Sequence, residues 1–174
     1  MNEYIEKLSS NQIGILPHDT IPGIVAIMNT ENAKRILKIK ERSEKKGFII
    51  LIPNKNYLSE LTINTGEKTK HLINDYWPGA LTIIFHKHPK VPPLISGTET
   101  TVAIRYPNHP LLNSILTAIN QPLITTSANI SSESMISEEL LSRVDFIHPE
   151  ILSNSSVSQS STIVDGTKEN LPIL

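Results

Sequence analysis

The chain has 174 residues, 39% of them hydrophobic and 19% charged, a composition that suits one globular domain with a substantial core and excludes a disordered chain. Its formal net charge of −1 supplies no global basic field to draw it to nucleic acid, so any cationic site has to be local. Zero cysteines exclude disulfides, thiolate metal sites and cysteine nucleophiles, and no apolar run approaches the length needed to cross a bilayer.

The first residues, MNEYIEKLSSNQ, carry acidic groups and lack the apolar block of a signal peptide, which points to the cytoplasm. They pattern as a helix over about residues 2–8. Short β-branched runs follow: IGIL, GIVAI, GFIILI, LTIIF, TVAIRY, PLITT and STIVD all read as strands. Between them the spacing predicts helices over roughly residues 31–41, 65–76, 109–120 and 137–143. This alternation argues for an α/β sheet covered by helices. The link between the first two strands is too short for a crossover helix, so the sheet is expected to be mixed. No internal repeat is visible, and SNSSVSQSS, residues 153–161, offers almost nothing to bury and reads as a loop. The whole chain, 1–174, is read as a single domain.

On a helix beginning near Glu31, residues Ala33, Ile36, Leu37 and Lys40 fall at i, i+3, i+4 and i+7, so a lysine continues the buried stripe. Two readings stand. The stem packs while the ammonium reaches water at the helix end, or Lys40 joins Arg42 in a local anion site. Positions i and i+2 share no helix face, so convergence requires the helix to end near Glu41 and the chain to unwind before Phe48. Arg42 would offer a planar fork for phosphate oxygens and Lys40 a movable point charge. Lys45 and Lys46 add charge, although such a run is usually a solvated surface. Neither G-x-x-x-x-G-K-[ST] nor G-x-G-x-x-G is present, so any phosphate has to be held largely by side chains.

The stretch QPLITTSAN, residues 121–129, begins apolar and ends in three hydroxyl residues and an asparagine. Alternation sends Leu123, Thr125, Ser127 and Asn129 to one face, and Ile124, Thr126 and Ala128 to the other. Either the ladder runs into a turn, or the strand end lines a polar cleft.

Other motifs carry less. His86 and His88 in FHKHP share a strand face, but two histidines without a third ligand read as a surface pair, and no metal site is expected. Trp77 before a Pro-Gly turn reads as core packing or an interaction residue. Ser127 has no G-x-S-x-G context for a nucleophile. Asp19 either orients a cation or substrate amine, or caps a turn.

Lys40-x-Arg42 ahead of GFIILI, then YWPGALTIIF, TVAIRYPNHP, TTSAN and STIVD, in this order and spacing from about Gly14 to Asp165, resemble the YrdC-like threonylcarbamoyl-adenylate synthase family. The resemblance implies a twisted mixed β-sheet flanked by helices around a concave cationic cleft. It also implies synthesis of threonylcarbamoyl-AMP and pyrophosphate from L-threonine, bicarbonate and ATP, the ATP accompanied by magnesium. Downstream threonylcarbamoyl-transferase proteins would carry the group to tRNA, and direct contact with tRNA or double-stranded RNA is a further implied property. By the same correspondence Lys40, Arg42, Ser127 and Asn129 are catalytic, and Arg105, Thr126 and Ser161 join them in binding ATP. His18, Asp19, Thr20, Thr101 and Thr125 fall in the amino-acid pocket.

The chain departs from the family pattern where P-T-[DE]-T-x-Y-G-L is usual. PHDTIPGI keeps Pro17, Asp19, Thr20 and Gly23 but places His18 for a threonine and Pro22 for an aromatic residue. Proline removes a wall and a backbone donor, and the histidine adds a group that titrates near neutrality. The family generally continues past ENLPIL into a further strand with an arginine, so one nucleotide contact is expected to be missing. Two rival readings follow from these departures: a non-catalytic RNA-binding or regulatory relative, or a carbamoyl-adenylate enzyme with another acceptor.

Overall fold

The computed structural model describes residues 1–98, 100–128, 136–153 and 159–174. Asn129 and residues 154–158 of the serine-rich stretch lie outside the described residues.

The elements run α1 (Asn2–Ser9), β1 (Gly14–Leu16), β2 (Gly23–Ile27), α2 (Thr30–Ile39), β3 (Ile49–Leu51), α3 (Leu58–Leu61), α4 (Glu67–Tyr76) and β4 (Leu81–His86). They continue with α5 (Pro93–Ser96), β5 (Thr101–Arg105), α6 (Pro110–Ile119), β6 (Leu123–Ser127), α7 (Glu138–Arg143), β7 (Phe146–Ile147), α8 (Pro149–Ser153) and β8 (Thr162–Asp165). The strands form one eight-stranded sheet in the order β7-β1-β2-β6-β3-β5-β4-β8. It is mixed, as the short first connection requires: β1 and β2 are antiparallel, β3 and β5 parallel, β4 and β8 parallel.

Strand alternation divides the core into two layers. Ile15, Ile24, Ala26, Ile50, Ile52 and Ile124 face the layer that takes in Ala33 and Ile36 of α2 and Ile95 of α5. Their neighbours Leu16, Val25, Leu51 and Leu123 face the other layer, against Leu8 of α1 and Leu112, Ile115 and Leu116 of α6. Strands buried on both faces lose the polar alternation of an exposed sheet, which is why the runs read as nearly continuous apolar segments. Trp77 is in the core, with its indole N–H donating to the Leu81 carbonyl at 2.6 Å. Among the described residues no helix is long and apolar enough to cross a membrane.

Helix α2 decides where the basic pair goes. Asn29 caps its start, the side-chain oxygen accepting from the Asn32 N–H at 2.8 Å, with Glu31 in the first turn. At the other end Lys40 is the C-cap. Glu41 has φ +51°, the Arg42 N–H donates to the Leu37 carbonyl (3.0 Å), and the Glu41 N–H donates to the Lys38 carbonyl (3.3 Å). These two bonds around a left-handed residue are a Schellman termination. The chain therefore turns back immediately after Lys40, and two residues that share no helix face come to share one destination.

Candidate active site

Lys40 and Arg42 meet at the end of β6. The Lys40 ammonium donates to the Ser127 carbonyl at 2.5 Å and lies 3.3 Å from the Thr126 hydroxyl and 3.4 Å from the Ser127 hydroxyl. The Arg42 guanidinium donates through Nη1 to the Thr126 hydroxyl and through Nη2 to the Lys46 and Gly47 carbonyls, the latter at 3.0 Å. Its Nε is buried and finds no partner among the described residues. Gly47 has φ +24°, and a Cβ there would stand 2.1 Å from the Ser96 carbonyl oxygen. Only glycine lets the Glu44–Lys46 turn close under Arg42.

Lys40 is 2% exposed. Burial lowers its pKa to about 8, and the positive charges of Arg42 and Lys46 push in the same direction. Burial likewise draws Arg42 below its ordinary value. The two cations stand close enough that each opposes the other's charge, a repulsion that an incoming anion would relieve.

The strand end and the basic turn face a cavity of about 430 Å³. Arg42, Lys45, Lys46 and Arg105 line it, and among its described lining residues there is no Asp or Glu. Lys40 supports this wall from behind Thr126 and Ser127 and is not itself part of the lining. Ser160 and Ser161 also line it, the Ser161 hydroxyl 2.9 Å from that of Thr82.

The floor is the loop between β1 and β2. Arg105, at the end of β5 and 2% exposed, reaches under it: Nη1 donates to the Thr20 hydroxyl at 2.8 Å, and Nη2 lies 3.0 Å from His18 Nδ1 and 3.2 Å from Asp19 Oδ1. The other Asp19 oxygen accepts from the Asn108 N–H at 2.9 Å. The two Asp19 oxygens thus face the loop's own supports, one the Arg105 cation and the other the Asn108 N–H. Arg105 is engaged in the same way, and it spends much of its donor capacity on His18, Asp19 and Thr20. Burial lowers its pKa and Asp19 opposes that shift.

Gly23 marks the closest approach in this floor. A Cβ there would lie 2.6 Å from Thr125 Oγ1 and 2.7 Å from His18 Nε2. The structure thereby brings together His18, Thr20, Arg42, Arg105, Thr125, Thr126, Ser127 and Ser161 around one hollow. Thr101 stands apart from it. It opens β5 opposite His86, is bonded to Thr98, and is separated from Arg105 by the length of the strand, roughly 13 Å at the usual rise.

One residue absent from the sequence reading supports the basic turn. Arg143, at the end of α7, donates to the Ile39 carbonyl at 3.0 Å and to the Glu41 carboxylate at 2.9 Å, and it also pairs with Glu139. A basic residue at the last turn of a helix is visible in the sequence, but nothing there links it to residues about a hundred positions earlier.

Fold and site together define an α/β protein whose mixed sheet opens, at the ends of β2 and β6, into a polar cavity walled by a Lys-x-Arg turn. The family model Sua5/YciO/YrdC, described as Telomere recombination, matches residues 6–174, and the chain belongs to that family. Threonylcarbamoyl-AMP synthase of Bacillus subtilis is 36% identical over 129 residues, covering 72% of this chain and 37% of the relative. That of Coxiella burnetii is 30% identical over 147 residues, 84% of this chain and 79% of the relative. The crystal structure of Pyrococcus abyssi Sua5 complexed with L-threonine superposes with a TM-score of 0.84 at 24% identity, over 99% of this chain and 52% of that one. The chain therefore spans little more than a third of the Bacillus relative and about half of the Pyrococcus protein.

Proposed function

We propose that the chain is a threonylcarbamoyl-AMP synthase, working as one domain in the cytoplasm. The observation that carries this reading is the convergence of Lys40 and Arg42 on Thr126 and Ser127 beside a cavity whose described lining holds basic side chains and no Asp or Glu. The names of the curated relatives support it, as does the L-threonine in the Pyrococcus structure.

The chemistry explains the demand for charge. The amino group of threonine attacks the carbon of bicarbonate-derived carbon dioxide, forming an N–C bond and losing a proton to give a carbamate. A carbamate oxygen then attacks the α-phosphorus of ATP. The bond from that phosphorus to the bridging oxygen breaks, and pyrophosphate leaves with the electron pair. An anion attacks an anion, so the protein's task is to neutralise charge and hold the reactants in line.

In this reading the cavity is the cationic cleft. Arg42 faces the phosphates, Lys40 adds its charge through the strand end, and Thr126, Ser127 and Ser161 offer hydroxyls, with Asn129 joining them by the family correspondence. Arg105 acts on the nucleotide from beneath the loop it braces. His18, Thr20 and Thr125 form the amino-acid side, with Asp19 holding the loop. Magnesium enters with the nucleotide. The described lining supplies no Asp or Glu ligand for it. The product is a mixed anhydride, which requires a transferase to consume it, and tRNA is the acceptor.

The test is pyrophosphate release from ATP by the full chain, with the product identified by mass. Release should require both threonine and bicarbonate, and Arg42→Ala should lower it by about 100-fold or more. Folded protein that binds ATP and releases no pyrophosphate under these conditions overturns the proposal. Salt-sensitive RNA binding in its place would favour a non-catalytic relative.

A further inference from the structure

Thr82 interrupts the apolar run of β4. It is fully buried, 0% exposed, between Leu81 and Ile83. A buried hydroxyl needs an acceptor for its proton. Among the described residues the Thr82 hydroxyl has one partner, the hydroxyl of Ser161 at 2.9 Å.

Either oxygen of that pair could supply the proton, and burial decides between them. With Ser161 as donor, the Thr82 proton is left in the core without an acceptor, a costly state. With Thr82 as donor, its proton goes to Ser161 Oγ and the Ser161 proton turns away from the core. Ser161 has somewhere to send it. The residue is partly exposed and lines the cavity together with Arg42, Lys45 and Lys46. Its main chain is held from the same strand, because Thr162, the next residue, donates its N–H to the Ala80 carbonyl at 3.1 Å and pairs with Leu81. Backbone and side-chain oxygen of Ser161 are thus both placed by β4.

We propose that Thr82 is a positioning residue: it donates to Ser161 Oγ and so commits the Ser161 O–H to donate into the cavity, to a phosphoryl oxygen of the bound nucleotide. Thr82 is not part of the cavity lining and acts only through Ser161. The inference rests on the reading of the cavity as an ATP site. Ionised phosphoryl oxygens only accept, so a hydroxyl already supplied with a proton from behind meets them with its own proton and without reorienting. In the absence of the Thr82 hydroxyl, Ser161 samples three staggered χ1 wells and loses the partner that turns its proton outward.

The experiment is a double-substitution cycle read by ATP titration of the full chain, with Ser161→Ala, Thr82→Val, Thr82→Ser and the combination of Thr82→Val with Ser161→Ala. Ser161→Ala should weaken ATP binding by about tenfold or more, the loss of a hydrogen bond to a charged group. Thr82→Val keeps the branched shape and suits a strand, and it should weaken binding by about three- to tenfold, while Thr82→Ser should bind within about twofold of the unsubstituted chain. The combined variant should bind no more weakly than Ser161→Ala alone. A packing role for Thr82 would instead add its own loss. Hydroxyl-proton spectra of the unsubstituted chain test the donor assignment without any variant: the Thr82 proton should exchange slowly with water, and the Ser161 proton quickly until ATP is added. Additive losses, undiminished ATP affinity in Ser161→Ala or Thr82→Val, or a slowly exchanging Ser161 proton in the free chain overturns the positioning role and leaves the synthase reading standing. Failure of the unsubstituted chain to bind ATP overturns both.

Discussion

The Lys40 ammonium lies 2.5 Å from the Ser127 carbonyl, which joins the end of α2 to the end of β6 across 87 residues. That contact places a buried cation behind the wall of the cavity, and its pKa of about 8 makes its protonation a reporter of what the cavity holds. An ATP polyanion favours the charged lysine and raises that pKa. Binding should therefore take up protons above about pH 8, and affinity should decline as pH rises through that value in the free protein. Calorimetric titration at pH 8.5 in two buffers of different ionisation enthalpy measures the uptake. Zero uptake, or uptake that persists in Lys40→Met, would contradict the placement.

The same shift has a stability counterpart with a definite sign. The folded pKa, about 8, lies below the unfolded value of 10.5. Between these values the unfolded chain keeps a proton that the folded chain has released, so stability rises with pH across that window. The burial of this charge is favoured by the site and opposed by the fold. Wild-type denaturation midpoints should rise relative to Lys40→Met between pH 8 and 10, and parallel curves would count against it.

Much of the architecture was legible because its signals are local. The β-branched runs became strands, and the apolar spacing of residues 33–37 became the buried face of α2. The short elements were not legible. Helices α3 and α5 span four residues each, too few to show a period, and β7 exists because Phe146 and Ile147 pair with Gly14 and Ile15. The site divides in the same way. That Lys40 and Arg42 converge follows from where a helix ends, yet that Lys40 sits behind the wall follows from its reaching the main-chain carbonyl of Ser127, which side-chain alternation does not describe. Arg105 read as a nucleotide contact by resemblance. Its grip on His18, Asp19 and Thr20 depends on β5 ending beneath the β1–β2 loop, which no linear pattern encodes.

Gly23 should be essential to the amino-acid site and tolerable to the fold. Its φ is not in the left-handed region, so alanine is permitted by the backbone, and the collision is confined to the side chains of Thr125 and His18. Overpacking of this kind costs roughly 1–3 kcal/mol where neighbours can give way. Gly23→Ala should fold with a modestly lowered melting temperature, keep ATP affinity and lose threonine affinity by about tenfold or more. Threonine binding equal to wild type would show that the space above Gly23 is not used.

The turn that presents Arg42 depends on Glu41 holding φ +51°, a conformation that costs a non-glycine residue about 1–2 kcal/mol. Arg143 answers that strain by bonding both the Glu41 carboxylate and the Ile39 carbonyl. Glu41→Gly removes the side-chain contact but also removes the strain, so the Schellman geometry survives and ATP affinity should stay near wild type. Glu41→Val loses the contact and forces a β-branched side chain into the left-handed region, so the Lys-x-Arg turn should open and ATP affinity fall by about tenfold or more. Arg143→Ala should fall between the two, with Arg143→Lys partly restoring binding. The order is what decides: ATP titrations in which Glu41→Gly binds as weakly as Glu41→Val would mean that the carboxylate, and not the backbone turn, aims Arg42 at its ligand.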